Sequence, residues 1–228
     1  MSEQKSTAPA LPAYLLETYS WAYLDERSVP WLDRPWIVDA ILWGNAARLM
    51  DAAVQEFAPG TQVLQAAAVY GDFSPRLARR IGPLGALTVV DVAPIQVART
   101  NGKLAQHPNA RAFVGDLAEP FAQAFDAVCC FFLLHEVPPA VRARIVDNLL
   151  GAVKPGGKIV FVDYHRPRRG HPLGPLMRLV WRRLEPYAPS LLEARIAAMA
   201  AQGAGFSWRE DTYFGGLYQK VVGTRATV

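Results

Sequence analysis

Three aspartates stand at the ends of apolar runs: Asp91 closes LTVVD, Asp116 follows ARAFVG, and Asp163 closes KIVFVD. A carboxylate at the end of a buried strand needs a partner, and ligand hydroxyls, amides or a cation can supply it. The plainer use of such a residue is to cap the turn or helix that follows. His135 and Glu136 come directly after a fourth apolar run, FDAVCCFFLL. An imidazole beside a carboxylate can move protons or offer nitrogen and oxygen ligands to a hard divalent cation, although a histidine there can equally be a satisfied structural one. Tyr164 and His165 extend the Asp163 cluster. Tyr70, in the stretch VLQAAAVYGDFS from Val63 to Ser74, can stack on a ring or donate to an oxygen.

The elements that must position these groups alternate. Strands are predicted over Gln62–Ala68, Leu87–Asp91, Ala110–Val114, Phe125–Leu133 and Lys158–Asp163. Helices are predicted over Pro75–Ile81, Pro94–Gln106 and Pro139–Ala152. Ser74 is expected to cap the first of these, with Pro75 in its first turn. In the third, Val141, Ile145 and Leu149 recur every four residues on one face. Lys154-Pro155-Gly156-Gly157 reads as a turn. A helix over Leu191–Gln202 precedes two strands, Ser207–Phe214 and Leu217–Thr224, joined through Gly215-Gly216 as a hairpin. This order predicts a doubly wound α/β sheet whose crevice, at the carboxyl ends of the strands, collects Asp91, Asp116, His135, Glu136 and Asp163.

With 228 residues, the chain suits one α/β domain, 11–228, behind a flexible tail over 1–10. Hydrophobic residues at 51% against 19% charged favour a packed core over disorder. A net charge of +4 is mildly basic and compatible with an anionic membrane surface. The adjacent Cys129 and Cys130 point to opposite faces of a strand, so neither a disulfide nor a zinc site is implied, and a reducing compartment is the simpler inference. No run is long enough to span a bilayer or has signal-peptide form, so the expectation is a cytoplasmic protein that is soluble or peripheral.

Two segments stand outside the alternation. Residues 11–57 are dense in aromatics, and the spacing of Trp36, Ile37, Ala40, Ile41, Trp43 and Ala47 predicts a helix that either packs on the sheet or forms a lid for a large apolar substrate. Residues 164–190 form an insertion whose first part, YHRPRRGHPLGPLMRLVWRR, mixes arginines with leucines. It reads as a solvated basic helix over the pocket or as a lid touching anionic lipid.

The stretch VLQAAAVYGDFS resembles the S-adenosylmethionine loop of class I methyltransferases in register, but not in its main residues. Gln65 stands where an acid is usual, Ala67 and Val69 replace two glycines, Tyr70 fills the next place, and Gly71-Asp72 persist. From Gln62 to Thr224 the chain resembles that Rossmann-like fold, a mixed seven-stranded sheet with a terminal β-hairpin. The resemblance implies Asp91 and Val92 at the ribose of S-adenosylmethionine and Asp116 and Leu117 at the adenine. It also implies Gln65, Ala67, Tyr70, Gly71 and Asp72 around the amino-acid portion. Without an acid at Gln65 the ligand's ammonium group loses one reason to stay protonated, and a neutral amine is a nucleophile.

Together VLQAAAVYGDFSPRLARRIGPLG, LTVVDVAPIQV, FDAVCCFFLLHEVP and PGGKIVFVDYHRP closely resemble the rhodoquinone biosynthesis methyltransferase-like family (RquA), which is related to the ubiquinone and menaquinone methyltransferases. This resemblance implies conversion of ubiquinone to rhodoquinone, an amino group replacing a ring methoxy, with S-adenosylmethionine as amino donor and manganese assisting. The partner it implies is a ubiquinone-type lipid quinone, reached from the inner face of a membrane. Tyr70, His135, Glu136 and Asp163 are the catalytic candidates, and no spacing fixes the manganese ligands. Two alternatives stay open: ordinary methyl transfer to a quinone or other small apolar acceptor, and a noncatalytic binding protein. Nucleic acid is not an expected partner, because Phe132-Leu133-Leu134-His135 stands where an Asn/Asp-Pro-Pro-aromatic signature of amino-group methylation would follow the fourth strand.

Overall fold

A computed structural model of the chain describes residues 9–199 and 201–227. The first eight residues of the expected tail lie outside the described residues. Five short helices come first: α1 (Ala13–Thr18), α2 (Ser20–Tyr23), α3 (Val29–Leu32), α4 (Pro35–Ile41) and α5 (Ala46–Val54). Then follow β1 (Gln62–Ala66), α6 (Phe73–Ile81), β2 (Ala86–Asp91), α7 (Pro94–Lys103), β3 (Ala110–Val114), β4 (Phe125–Phe131), α8 (Pro139–Gly151) and β5 (Val153–Tyr164). The chain ends with α9 (Gly174–Leu184), α10 (Ala188–Leu192), β6 (Phe206–Tyr213) and β7 (Tyr218–Arg225).

The seven strands form one sheet in the order β3-β2-β1-β4-β5-β7-β6, with β1 to β5 parallel and β7 antiparallel to both β5 and β6. Strand order reverses between β1 and β4, so the crevice opens at their carboxyl ends. Strand β4 is buried on both faces from Ala127 to Phe131, which explains the apolar run there, and Cys129 and Cys130 are buried, free thiols within it. Among the described residues no helix is long and apolar enough to cross a membrane.

Several local expectations are corrected. Helix α6 begins at Phe73, with Asp72 rather than Ser74 at its cap position, because Phe73 is buried and stacks at 4.3 Å on Phe131 of β4. The aromatic helix ends at Ile41: Trp43 and Gly44 take positive φ, and the Asn45 amide donates to the carbonyls of Leu42 and Trp43, so α5 starts afresh. Strand β5 already begins at Val153, the expected turn over 154–157 being an irregularity within it. The expected helix over 191–202 stops after Leu192. Arg195 is extended, and Gly203 returns so close to the Ala197 carbonyl that a Cβ would lie 2.7 Å from it. At the hairpin tip Gly215 and Gly216 have φ of 61° and 86°, a turn that only glycine makes without strain.

Candidate active site

A cavity of about 210 Å³ lies over the carboxyl ends of β1, β2 and β4. Its floor comes from the sheet, through Ala67, Asp91, Asp116, Phe132 and His135, and its roof from α1 to α4, through Tyr14, Tyr19, Tyr23 and Ile41. Two of the strand-end acids reach it as the alternation predicts. Asp91 accepts from the Ala68 and Ala93 backbone amides at 2.8 Å each, one on either oxygen, and burial raises its pKa against those bonds. The remaining lone pairs can accept from ligand hydroxyls. Asp116 accepts from the Ala118 amide at 2.8 Å, and Val92 and Leu117 complete this end of the wall.

The loop after β1 has a substituted interior. Ala67 has φ of 64°, a left-handed conformation normally left to glycine. Gln65 does not reach the cavity: it is fully buried, and its Nε2 donates to the Ala67 carbonyl at 2.9 Å. Gly71 is turned away as well, its amide donating to Asp33 Oδ1 at 2.9 Å, and Asp72 faces outward to pair with Arg76 at 2.8 Å. Asp33 also receives Arg99 and Lys103, and Lys103 donates onward to the Gly71 carbonyl. This buried acid therefore clamps the loop from the N-terminal section. Tyr70 does enter the cavity, stacked on Tyr23 with ring centroids 5.5 Å apart and its hydroxyl bonded to the Ala22 carbonyl and to Gln96.

At the far end, after β4 and β5, a charged cluster sits in an otherwise apolar wall. His135 is 4% exposed, and its Nδ1 lies 2.8 Å from Oδ1 of Asp163. Asp163, itself 1% exposed, does not line the cavity; it also accepts from the Leu134 and Tyr164 amides, so its buried charge is fully satisfied. The other histidine nitrogen, Nε2, lies 3.7 Å from Glu136 and 3.8 Å from Glu185, too far for a hydrogen bond to either. Tyr23 donates to Glu136, and Tyr19 donates to Glu185 at 3.0 Å. Burial opposes a charge on His135, but the neighbouring acids, Asp163 foremost, overcome it and raise its pKa to about 9. Burial raises both Glu136 and Glu185.

The three donors His135, Glu136 and Glu185 offer ligand atoms that all lie within 4.8 Å of one another. One nitrogen and two carboxylates, with the histidine's second nitrogen held by a carboxylate, form a donor set that suits a hard divalent cation. Sequence reasoning found His135, Glu136 and Asp163 but missed Glu185, Tyr19 and Tyr23. The available signal for Glu185 was its place as the first acid after a run that, from Tyr164 to Leu184, contains six arginines and no acid. His165 is not brought to this cluster: its Nδ1 lies 2.8 Å from the Gly216 carbonyl and its Nε2 faces Glu210.

Residues 63–157 match a family described as "Methyltransferase domain". The chain is 33% identical over 141 residues to a demethylmenaquinone methyltransferase of Tropheryma whipplei, which covers 61% of this chain and 56% of that protein. It is 30% identical over 166 residues to an uncharacterised methyltransferase of Synechocystis, covering 72% of this chain and 75% of that one. Among solved structures, an O-methyltransferase family protein from Burkholderia thailandensis superposes with a TM-score of 0.68 at 18% identity, over 89% of this chain and 61% of that one. The chain thus spans little more than half the length of the Tropheryma relative.

Proposed function

We propose a function that proceeds from one fact: the chain belongs to the methyltransferase family and has its class I fold. On this reading S-adenosylmethionine occupies the cavity, its ribose hydroxyls on Asp91 and its adenine beside Asp116 and Leu117. The acceptor is a ubiquinone-type lipid quinone, met at the cytoplasmic face of a membrane. The apolar wall of Phe131, Phe132, Leu133 and Ile41 suits such a ring, and the Tropheryma relative's name concerns a quinone of the menaquinone type.

The finer reading is conversion of ubiquinone to rhodoquinone. The donor nitrogen's lone pair forms a bond to the ring carbon that carries methoxy, that carbon–oxygen bond breaks, and methoxide leaves as methanol with the proton the nitrogen sheds. The bond between the nitrogen and the donor's α-carbon then breaks, nitrogen keeping the electron pair and a proton leaving the donor remnant, so no oxidant is needed. The observation that carries this reading is the substituted loop: Gln65 is turned onto the Ala67 carbonyl, so no carboxylate at that place holds the donor's amine as ammonium.

Manganese held by Nε2 of His135 and the carboxylates of Glu136 and Glu185 would polarise a quinone oxygen. Asp163 holds Nδ1 of the imidazole and so turns Nε2 toward that place. Tyr23 and Tyr19 aim the two glutamates, and Tyr70 closes the wall beside the donor. The test is incubation of the protein with ubiquinone, S-adenosylmethionine and manganese, followed by mass analysis of the quinones. Rhodoquinone is the expected product. The relative's name favours a second reading, methyl transfer to the quinone, which the same assay would reveal as a methylated product.

A further inference from the structure

Helix α4 is largely apolar although it lies at the surface, its one acid, Asp39, accepting from the Ala46 backbone amide. Ile37, Val38 and the following Leu42 face the core, whereas Trp36, Ala40, Ile41 and Trp43 face out. A surface helix normally carries polar residues outward, and one that instead turns an indole and an isoleucine outward suits a partner surface or lipid. Trp36 is 61% exposed, and Trp31, on α3, is 50% exposed with its ring 6.2 Å from that of Trp36. The Trp43 indole donates to the sulfur of Met177, which joins this face to α9, where Leu176 and Leu179 are again exposed. Trp21 and Ile41 are half-exposed and also line the cavity, so the apolar face surrounds the cavity's mouth.

The charge on α9 has one sign. Arg178, Arg182 and Arg183 project from α9, in a stretch without acids, while the turn after α2 sets Asp25 and Glu26 next to Arg27. Indoles flanked by guanidinium groups match the boundary of an anionic bilayer, where amphipathic rings settle among headgroups and each nearby arginine adds attraction.

We propose that the face made by Trp31, Trp36, Trp43, Leu176 and Leu179, with the arginines of α9, seats the protein on an anionic lipid surface with the cavity mouth turned into the bilayer. The purpose of that seating rests on the lipid-quinone reading, but the contact itself does not. An acceptor dissolved in the bilayer then enters between Trp21 and Ile41 without crossing water.

Vesicles free of quinone and donor test the contact alone. The full chain is expected to co-sediment with vesicles of phosphatidylcholine and phosphatidylglycerol, to bind phosphatidylcholine alone far more weakly, and to have its tryptophan emission quenched by brominated acyl chains. W31S/W36S, outside the cavity, should weaken binding by about tenfold or more. R178Q/R182Q/R183Q should weaken binding to anionic vesicles by roughly a hundredfold and leave that to neutral vesicles unchanged. Melting curves matching the parent separate these losses from misfolding. The proposal is overturned if the parent ignores anionic vesicles, if both variants bind as it does, or if sedimentation velocity shows a dimer that W31S/W36S dissolves. Rhodoquinone formation alongside such a result would leave the enzymatic reading standing.

Discussion

Nδ1 of His135 and Oδ1 of Asp163 lie 2.8 Å apart, both side chains buried, and this pair ties the end of β4 to the end of β5. Because Asp163 also accepts two backbone amides, it is both a structural plug and the group that orients the imidazole. Asp163→Asn keeps the shape but cannot accept all three donors. We expect it to lower stability by about 2–3 kcal/mol in chemical denaturation, and activity in the folded fraction to fall further than stability explains. A variant with parental activity would deny the pair its orienting role.

The donor set of His135, Glu136 and Glu185 makes a direct claim about binding. Calorimetric titration of the protein with manganese, without donor or quinone, should give one site that Glu185→Gln abolishes. Tyr23→Phe removes only the hydroxyl that aims Glu136, and should weaken that site by roughly 10- to 100-fold. Binding that survives Glu185→Gln at full strength would place the cation elsewhere.

Ala67 holds a positive φ of 64° that its Cβ resists. Ala67→Gly should therefore raise thermal stability, by about 1 kcal/mol, even though glycine usually costs stability. A lower melting temperature would mean that the methyl group's contacts outweigh the backbone strain.

Asp126 joins β4 to its neighbours by accepting from Lys154 at 2.7 Å and from the Gln62 amide at 2.9 Å, and the Lys154 bond leads the causes that lower its pKa. For an acid whose pKa is depressed on folding, the stabilisation is present above its ordinary value and disappears as pH falls through the lowered one. Since both partners of the ion pair are substantially exposed, Asp126→Asn should cost less than about 1 kcal/mol near neutrality. The difference from the parent should vanish in strong acid, and a constant difference across pH would contradict the assignment.

Much of the fold could be read from the chain because its signals are local: strands β3 and β4 and helices α7 and α8 follow from apolar runs bounded by Pro, Gly and Asp. The crevice acids followed from strand order. What escaped was set by tertiary contact. Phe73 stacks on Phe131 and so starts α6 earlier than the Ser-Pro signal, and Gly203 folds back on Ala197 where the pattern suggested a continuous helix. Glu185 escaped for the same reason, since 49 residues of sequence separate it from Glu136, which it meets only once α9 folds over the site. Gln65 could be recognised as unusual, but its partner, the Ala67 carbonyl, and its place outside the cavity are set by the folded loop and not by the local sequence.

The central claim is that nitrogen, not methyl, leaves the donor. Supplying S-adenosylmethionine labelled with heavy nitrogen at its amine and with deuterium in its methyl group, together with ubiquinone and manganese, separates the two in one mass spectrum. The account predicts a quinone that carries the heavy nitrogen, has lost one methoxy group and contains no deuterium. A product that carries the deuterated methyl and no heavy nitrogen would contradict it.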